Sequence, residues 1–351
     1  MREIRVDLGA IRANYQKLKS ITSGKVMAVV KANAYGHGML EVAKALEQVG
    51  VDALGVADLG EALELRKAGI SSRLMCWILD PEADLSVAKE HDIELGVSTF
   101  DQLESLEPGT KIHIKVDTGL GRNGFSTLDW DRLFSALAGT EVQGIFSHLS
   151  NTSVSDDLKQ KSSFEKALAK AAEHGVRIVE RHLAASAAAI SYPDFHYDMI
   201  RTGIAIYGLN PFEDRELEMR LVPAMRVSAK LANVKRVPAG QGVSYGYRYV
   251  TERETTLGVV PFGYGEGMPR ISEGYEVALG GRLYPVVGRV AMDQFVVDFG
   301  DAPAVIGDEV VIFGPGLDGE LGAQELGLSA KSINYEVVTR IGGRAPRHYL
   351  G

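Results

Sequence analysis

The stretch VVKANAYGHG, residues 29–38, places a lysine at the end of an apolar run. An ammonium group is costly to bury, and burial favours the neutral amine, which can attack an aldehyde to form a Schiff base. Behind Lys31, the hydroxyl of Tyr35 suits a phosphate oxygen, and Gly36 and Gly38 allow positive φ and a close approach of backbone to ligand. Lys31 is therefore a candidate for carbonyl chemistry. A lysine that only extends its head out of a strand is the structural alternative.

Further polar side chains follow other predicted strands of the same region. They are, in chain order, Arg122, His148, Ser186, Arg201 and Gly203. Each alone has a structural explanation, such as an ion pair for an arginine or a backbone hydrogen bond for a histidine. In a barrel of parallel strands, however, the carboxyl ends of the strands meet on one face, where active sites lie. Together with Lys31, these groups predict a site for a ligand with a phosphate and a reactive carbonyl.

The elements that must position these residues are eight short apolar runs that alternate with helical segments. The runs are KVMAVV (25–30), DALGVA (52–57), LMCWIL (74–79), IELGVS (93–98), KIHIKVD (111–117), QGIFSHL (143–149), RIVERHL (177–183) and IRTGIAIYG (200–208). Near-continuous apolar character is typical of strands buried on both faces, as in a parallel sheet. The alternation predicts an N-terminal (β/α)8 TIM-type barrel, with a doubly wound open sheet as the alternative.

The pattern changes near Leu221. Beyond it, strand-like runs separated by Pro and Gly dominate, and one helix is predicted around ELGLSAKSINYEVVTRI. We therefore predict an α/β protein with two domains, a barrel over residues 1–221 and a mostly β C-terminal domain over residues 222–351. Packing of the first few residues with the second domain is left open.

Composition narrows the class of protein. The chain has 351 residues, of which 45% are hydrophobic and 24% charged, as in ordinary globular proteins. A net charge of -8 without a long basic tract disfavours a nucleic-acid partner. A single cysteine, Cys76, excludes a disulfide within the chain, and the N-terminus MREIRVDLGA lacks the apolar core of a signal peptide. We predict a cytoplasmic protein with no membrane partner and no metal site.

Several segments resemble the alanine racemase family, in the family's order and over nearly the whole chain. They are AVVKANAYGHG, KVDTGLGRNGF, SHLS, RHLAAS, RTGIAIYGL, VSYG, GYGEG, GRVAMDQ and INYE. The first resembles the family's signature for pyridoxal 5'-phosphate (PLP). The family's fold, a PLP-binding barrel of fold type III followed by a β domain, agrees with the pattern above. The resemblance implies a PLP-dependent racemase that interconverts L-alanine and D-alanine and supplies D-alanine for peptidoglycan.

The same resemblance implies two bases on opposite faces of the substrate α-carbon. Lys31 would hold PLP and take the proton from D-alanine, while Tyr245 of VSYG would take the proton from L-alanine. His148 would link Tyr245 to Arg201, and Arg201 would donate a hydrogen bond to the pyridine nitrogen. Tyr245 belongs to the second domain, and in the family this tyrosine comes from the partner subunit of a homodimer.

The remaining site residues also follow from the resemblance. The phosphate would be held by Tyr35, Ser186, Gly203 and Ile204. Arg122 would reach the PLP phenolic oxygen and the substrate carboxylate, assisted by the backbone of Met292. Asp293 would orient Arg122, and Tyr264 would lie at the entrance. Lys115 occupies a position at which some members of the family carry a carbamylated lysine.

Three places depart from the family's usual pattern. Ala185 stands where an asparagine is common, residues 151–153 replace a stretch that often ends in an acidic residue, and Gly343 stands where some members carry a phosphate-binding tyrosine. These departures leave a broader racemase acting on serine or lysine as an alternative. A decarboxylase of the same barrel type would have an acidic residue in place of Arg201. A non-catalytic PLP carrier would lack the second domain.

Overall fold

The computed structural model describes all 351 residues, Met1–Gly351. The chain divides into two compact units: the barrel unit, Arg12–Ala32 with Val42–Ile206, and the sheet unit, Met1–Ile11 with Asn33–Glu41 and Tyr207–Gly351. The sheet unit is discontinuous along the chain because it includes β1 (Arg2–Asp7) and the segment after Ala32. A single boundary after residue 221 stays a prediction.

Eight parallel strands form the nearly closed barrel of the barrel unit. They are β2 (Lys25–Val29), β3 (Ala53–Val56), β4 (Leu74–Cys76), β5 (Ile93–Val97), β6 (Ile112–Lys115), β7 (Glu141–Phe146), β8 (Arg177–His182) and β9 (Met199–Thr202). They pair in the order β8-β7-β6-β5-β4-β3-β2-β9, and a bridge between Ala185 and Arg201 joins the two ends. The predicted TIM-type barrel is confirmed. Every residue of β3, β5, β6 and β9 is buried, including the polar side chains of Glu94, His113 and Arg201, so these strands are covered on both faces.

The helices of this region have identifiable starts. They are α1 (Leu8–Lys19), α2 (Lys31–Tyr35), α3 (Met39–Gln48), α4 (Leu59–Lys67), α5 (Ser86–Glu90), α6 (Phe100–Glu104), α7 (Trp130–Ala136), α8 (Val154–Glu173) and α9 (Ser186–Ser191). Asp58, Thr99 and Ser153 each accept a hydrogen bond from the backbone N–H three residues later, and so cap α4, α6 and α8. None of the helices in the protein combines the length and the apolar character needed to cross a bilayer.

The turn that begins at Lys31 is left-handed. Residues 32–35 of α2 have φ between +51° and +55°, a conformation that costs roughly 1–2 kcal/mol per residue for side chains other than glycine. Gly36 and Gly38 continue with φ of +81° and +101°, the positive values that the sequence predicts. A Cβ at Gly36 would lie 2.0 Å from the carbonyl oxygen of Val338. The predicted loop is therefore a strained helical turn.

The sheet unit contains a nine-stranded sheet in the order β11-β14-β17-β16-β15-β18-β10-β1-β19 and a two-stranded sheet, β12-β13. The strands after β9 are β10 (Met225–Lys230), β11 (Asn233–Val237), β12 (Gly242–Val243), β13 (Tyr249–Val250), β14 (Thr255–Val260), β15 (Glu276–Leu279), β16 (Arg282–Val287), β17 (Phe295–Gly300), β18 (Glu309–Phe313) and β19 (Arg347–Leu350). The mostly β character predicted for the C-terminal part is confirmed.

The single helix predicted near the C-terminus is two helices, α10 (Ala323–Ser329) and α11 (Asn334–Arg340). The break has a local cause. Lys331 has φ of +55°, and Ile333 is extended, so no continuous helix can pass through these residues.

The strain in α2 is testable with a pair of alanine-to-glycine variants. Ala32 is exposed in the left-handed turn, whereas Ala169 is exposed in the right-handed helix α8. We expect Ala32→Gly to raise the free energy of unfolding by about 1 kcal/mol, because glycine adopts positive φ without a steric penalty. Ala169→Gly should lower it by about 1 kcal/mol. Urea titrations followed by circular dichroism measure both, and equal destabilisation by the two variants contradicts the strain.

Candidate active site

Lys31 lies two residues beyond the end of β2 and its side chain is half-buried. Its Nζ atom is 5.9 Å from the centroid of the Trp77 ring. Burial, and next the charge of Arg122, lower the pKa of Lys31, while Glu61 opposes the shift. The carboxylate of Glu61 also accepts hydrogen bonds from the backbone N–H groups of Ala32 (2.6 Å) and Ala57 (2.8 Å). Glu61 thus holds the start of the left-handed turn, and the surroundings of Lys31 make its ammonium easier to deprotonate than that of a free lysine.

Positive charge is concentrated around His148, which lies two residues beyond β7. Burial lowers the pKa of His148 well below its ordinary value, and four cations add to this shift. In order of effect they are Arg201, Arg122, Lys115 and Lys31. His148 is therefore a neutral imidazole. A cluster of cations at the carboxyl ends of the strands favours an anionic ligand.

Lys115, the last residue of β6, is only 6% exposed. Its Nζ donates to the carbonyl oxygen of Val116 at 3.3 Å and lies 5.4 Å from the centroid of the Phe146 ring. Burial, and next the charge of Arg201, lower the pKa of Lys115 to about 7. A large share of this side chain is consequently a neutral amine at physiological pH.

Arg201 on β9 is buried and all its hydrogen-bond partners are uncharged. Nη1 donates to the carbonyl oxygen of His182 at 2.8 Å and to its Nδ1 at 3.0 Å. Nη2 donates to the carbonyl oxygens of Ser147 at 2.6 Å and Leu183 at 3.0 Å. The four Nη hydrogens are thereby engaged, which leaves Nε–H for a ligand. Burial lowers the pKa of Arg201 to about 9, so the guanidinium remains charged at neutral pH.

His182 is a site residue that the sequence analysis missed. The histidine in hydrogen-bond contact with Arg201 is His182, at the end of the neighbouring strand β8, whereas His148 interacts with Arg201 through its charge. The bridge between Ala185 and Arg201 brings the end of β8 next to β9 and accounts for this contact. The only sequence signal was a histidine within RHLAAS, four residues before the serine that starts α9.

Ser186 and Gly203 meet at the same end of the barrel. The N–H of Gly203 donates to Oγ of Ser186 at 3.0 Å. Ser186 is the first residue of α9, and Ile204 is the first residue of a 3₁₀ turn, Ile204–Tyr207. Ala185 gives α9 no side-chain cap. N–H groups at such starts lack intrahelical partners and can donate to an anion.

Tyr35 belongs to an aromatic cluster within the sheet unit. Its ring centroid is 5.1 Å from that of Tyr207 and 6.2 Å from that of Tyr335, and His37 stacks on Tyr207 at 4.4 Å. Burial raises the pKa of both Tyr35 and Tyr335, so both hydroxyls are protonated donors. The motif INYE does not reveal a role for Tyr335, because no local sequence feature shows that this residue packs against Tyr35.

Two domain models of one family match the chain. The model described as alanine racemase, N-terminal domain, matches residues 6–211, and the model described as alanine racemase, C-terminal domain, matches residues 224–349. The chain belongs to the alanine racemase family.

Known alanine racemases are similar to this chain over nearly its full length. The alanine racemase of Beutenbergia cavernae is 43% identical over 366 aligned residues, which cover 99% of this chain and 97% of that protein. The crystal structure of alanine racemase from D-cycloserine-producing Streptomyces lavendulae is 42% identical, with a TM-score of 0.96 and coverage of 100% of this chain and 97% of that one. Bacillus anthracis alanine racemase with bound L-Ala-P is 33% identical, with a TM-score of 0.91 and coverage of 100% and 95%.

Three alanine racemase motifs meet within the sheet unit. Oγ of Ser244, in VSYG, donates to the carbonyl oxygen of Arg289, in GRVAMDQ, at 2.6 Å. The N–H of Gly265, in GYGEG, donates to the carbonyl oxygen of Met292 at 2.8 Å. Residues that are up to about fifty positions apart in the sequence therefore form one structural cluster.

The candidate residues on these alanine racemase motifs are exposed, with values of 69% for Tyr245, 43% for Tyr264 and 55% for Met292. The loop that carries Tyr245 is strained, since Ser244 and Tyr247 have φ of +57° and +40°. Strained backbone outside regular elements is typical of functional loops. That Tyr245, Tyr264 and Met292 act with the residues of the barrel unit stays a prediction.

Asp293 is engaged within the sheet unit. Nη2 of Arg344 donates to Asp293 Oδ1 at 2.6 Å, and Nε of the same side chain donates to the fully buried Glu266 at 2.6 Å. Arg344 therefore fixes the Asp293 carboxylate, and the proposed action of Asp293 on Arg122 stays a prediction.

Gly343 has a structural reason to be glycine in this chain. Its φ is +59°, and a Cβ there would lie 2.2 Å from the carbonyl oxygen of Gly265. A tyrosine at position 343 would need a different local backbone. Tyr335 is the tyrosine of this region that packs near Tyr35.

The near-neutral titration of Lys115 is testable with carbon dioxide, which adds only to an uncharged amine. With a pKa of about 7, the neutral fraction rises from about a tenth at pH 6 to about nine tenths at pH 8. At constant dissolved ¹³CO₂ we expect a carbamate signal in the ¹³C NMR spectrum that grows over this range. Lys115→Arg should abolish the signal, and Lys159→Arg, at an exposed lysine, should leave it intact. A spectrum without carbamate at pH 8 contradicts the prediction.

Proposed function

We propose that this chain interconverts L-alanine and D-alanine with PLP as cofactor. The observation that carries the proposal is Lys31, a half-buried lysine with a lowered pKa at the carboxyl ends of the barrel strands of an alanine racemase family member. The supply of D-alanine for peptidoglycan and a cytoplasmic location belong to the same proposal and rest on the family resemblance.

The chemistry of the donors at the barrel end supports PLP. An amine with a lowered pKa at Lys31 suits the aldehyde of PLP, and Nε–H of Arg201 is a free donor for the ring nitrogen. The starts of α9 at Ser186 and of the turn at Ile204 offer N–H groups for the phosphate, and Gly203, whose N–H donates to Oγ of Ser186, joins the two starts. Tyr35 adds a protonated hydroxyl as the fourth group proposed for the phosphate.

When bound, PLP withdraws electrons from the substrate α-carbon and so makes its C–H acidic. The chain must then hold a base on each face of that carbon. We assign the removal of the proton from D-alanine to Nζ of Lys31 and the removal of the proton from L-alanine to Oη of Tyr245. A tyrosine acts as a base only where its phenolate is stabilised. The positive potential around His148 is suited to that stabilisation.

The substrate carboxylate is assigned to Arg122, because a guanidinium binds a carboxylate bidentately. Arg122 is exposed, and it is close enough to Lys31 to lower the pKa of that amine. The backbone of Met292 is proposed to assist Arg122, with Tyr264 at the entrance and Asp293 behind Arg122. Lys115 is proposed to carry a carbamate, which would reverse its charge and balance the neighbouring arginines.

We further propose a homodimer in which Tyr245 of one subunit serves Lys31 of the other. The 69% exposure of Tyr245 in the single chain supports this arrangement, since a catalytic tyrosine is expected to be enclosed in the working site. A two-fold dimer would form two such sites.

The reaction is tested by incubation with L-alanine, L-serine and L-lysine in deuterated water, with chirality and α-deuteration measured by chiral chromatography and mass spectrometry. We expect D-alanine that carries one α-deuterium. Exchange with L-serine or L-lysine at a comparable rate would support the broader racemase instead. No exchange with any of the three overturns the racemase proposal.

Variants separate the two bases in the same assay. Tyr245→Phe should still exchange the α-proton of D-alanine, since Lys31 remains, but should lose inversion and the exchange of L-alanine. Lys31→Ala should lower kcat by at least about 10³-fold in both directions. Equal exchange of both enantiomers by Tyr245→Phe contradicts the assignment of the bases.

The shared site is tested by mixing two inactive variants, Lys31→Ala and Tyr245→Phe, after partial unfolding and refolding together. In a hybrid dimer with shared sites, one site receives both intact residues. Random mixing at equal amounts should therefore restore about a quarter of the wild-type activity. If each subunit supplies both bases to its own site, the mixture stays inactive. Each variant refolded alone is the control.

A further inference from the structure

The interior of the barrel contains a continuous chain of polar side chains that ends on Arg201. Nη1 of Arg201 is 3.0 Å from Nδ1 of His182, and Nε2 of His182 is 2.8 Å from Nδ1 of His113. Nε2 of His113 is 2.8 Å from Oε2 of Glu94. All four residues are at most 5% exposed. Barrel interiors are ordinarily filled by branched apolar side chains, so this series of hydrogen-bonded polar side chains, the polar relay, needs an explanation.

The hydrogen-bond pattern admits one protonation state for each imidazole. A guanidinium only donates, so Nδ1 of His182 must accept from Arg201 and carries no proton. Nε2 of His182 then carries the proton and donates to Nδ1 of His113. Nε2 of His113 in turn carries the proton that it donates to Glu94, an acceptor when ionised. Nη2 of Arg73 also lies 3.4 Å from this nitrogen, but the contact with Glu94 is shorter.

The ionised state of Glu94 is secured from the far side. Nε and Nη2 of Arg73 donate to its two oxygens, each at 2.8 Å, and Nη1 of Arg73 donates to Glu180 at 2.8 Å. Glu180 also pairs with Lys25, the first residue of β2. Although burial opposes ionisation, the hydrogen bonds from His113 and Arg73 hold the pKa of Glu94 at about 2. The polar relay thus runs from the amino ends to the carboxyl ends of the barrel strands.

Packing preserves this arrangement. Gly144, the partner of His113 on the neighbouring strand β7, leaves room for the imidazole, since a Cβ there would lie 2.1 Å from its Nδ1. The ring of Phe146 stacks on His182 with 5.0 Å between centroids and 1° between planes. The two imidazoles are therefore fixed in orientation as well as in protonation.

We propose that Glu94 and His113 are positioning residues that act through His182 to hold the guanidinium of Arg201, so that its Nε–H points to the cofactor ring nitrogen. The role rests on the proposed function, which gives Arg201 that ring nitrogen as partner. An acceptor at Nδ1 of His182 is one of the four that engage the Nη hydrogens. Without His113, the N–H at Nε2 of His182 has no acceptor. His182 could then carry its proton on Nδ1 instead, where the N–H would face the N–H donor of Arg201 and repel it.

The test uses the PLP-loaded enzyme and variants at position 113. Leucine forms no hydrogen bond and interrupts the polar relay, whereas glutamine can accept from His182 with its oxygen and donate to Glu94 with its amide nitrogen. We expect His113→Leu to lower kcat about tenfold and to shift the ¹⁵N resonance of the PLP ring nitrogen. His113→Gln should recover most of both. His196→Leu, which removes another buried histidine bonded to the carbonyl oxygen of Ala189, should leave the ring nitrogen unchanged.

A second measurement tests the relay without turnover. In wild-type enzyme with ¹⁵N-labelled histidine, both His113 and His182 should be neutral with the proton on Nε2.

If His113→Leu does not fold, Glu94→Gln, which keeps the shape of the side chain but removes its charge, should shift the ¹⁵N resonance of the PLP ring nitrogen in the same direction. A proton on Nδ1 of His182 or His113 overturns the proposal. So does a folded His113→Leu variant with an unchanged ring nitrogen resonance. A wild-type enzyme that exchanges no α-proton overturns the proposed function instead, while the histidine resonances still test the relay.

Discussion

A charged guanidinium buried among neutral acceptors is the constraint on which the active end of the barrel depends. Arg201 is held by three carbonyl oxygens and one imidazole, and none of these partners neutralises its charge. Burial, and next the field of Arg201, keeps His148 uncharged and lowers the pKa of Lys115. A single buried cation thereby influences the protonation of its neighbours. The energetic cost of such a site is large, which explains why the barrel interior departs from an apolar filling.

Strain and electrostatics are combined around Lys31. The left-handed turn starts at the residue that must present an amine, and Glu61 ties the first N–H of that turn to the barrel. A right-handed helix after Lys31 would carry Tyr35 along a different path, because the hand of a turn sets the direction in which the chain leaves it. The strained turn lowers local stability, and it fixes the position of the Lys31 amine.

The features that could be predicted from the sequence are those that follow from its periodicity and composition. Eight apolar runs became eight barrel strands, because burial on both faces leaves a signal in each run. The family motifs singled out Lys31, Arg201 and Ser186, and the structure places all three at or just beyond the carboxyl ends of barrel strands, while their roles stay predictions. The hand of α2 was not predictable, since KANAY contains no residue that requires positive φ. His182 and Tyr335 were missed because their importance lies in contacts with residues distant in sequence.

The position of β1 has a consequence for how the protein is made. This strand precedes the whole barrel in the sequence, yet it pairs with β10, more than two hundred residues later, and with β19, which follows every other strand. Both of its edges must therefore wait, unpaired, while the eight strands of the barrel are synthesised. Pairing over such a separation is slow, and an open strand edge can recruit another chain. Correct folding of the nine-stranded sheet thus requires β1 to pair with strands that are synthesised only after the barrel.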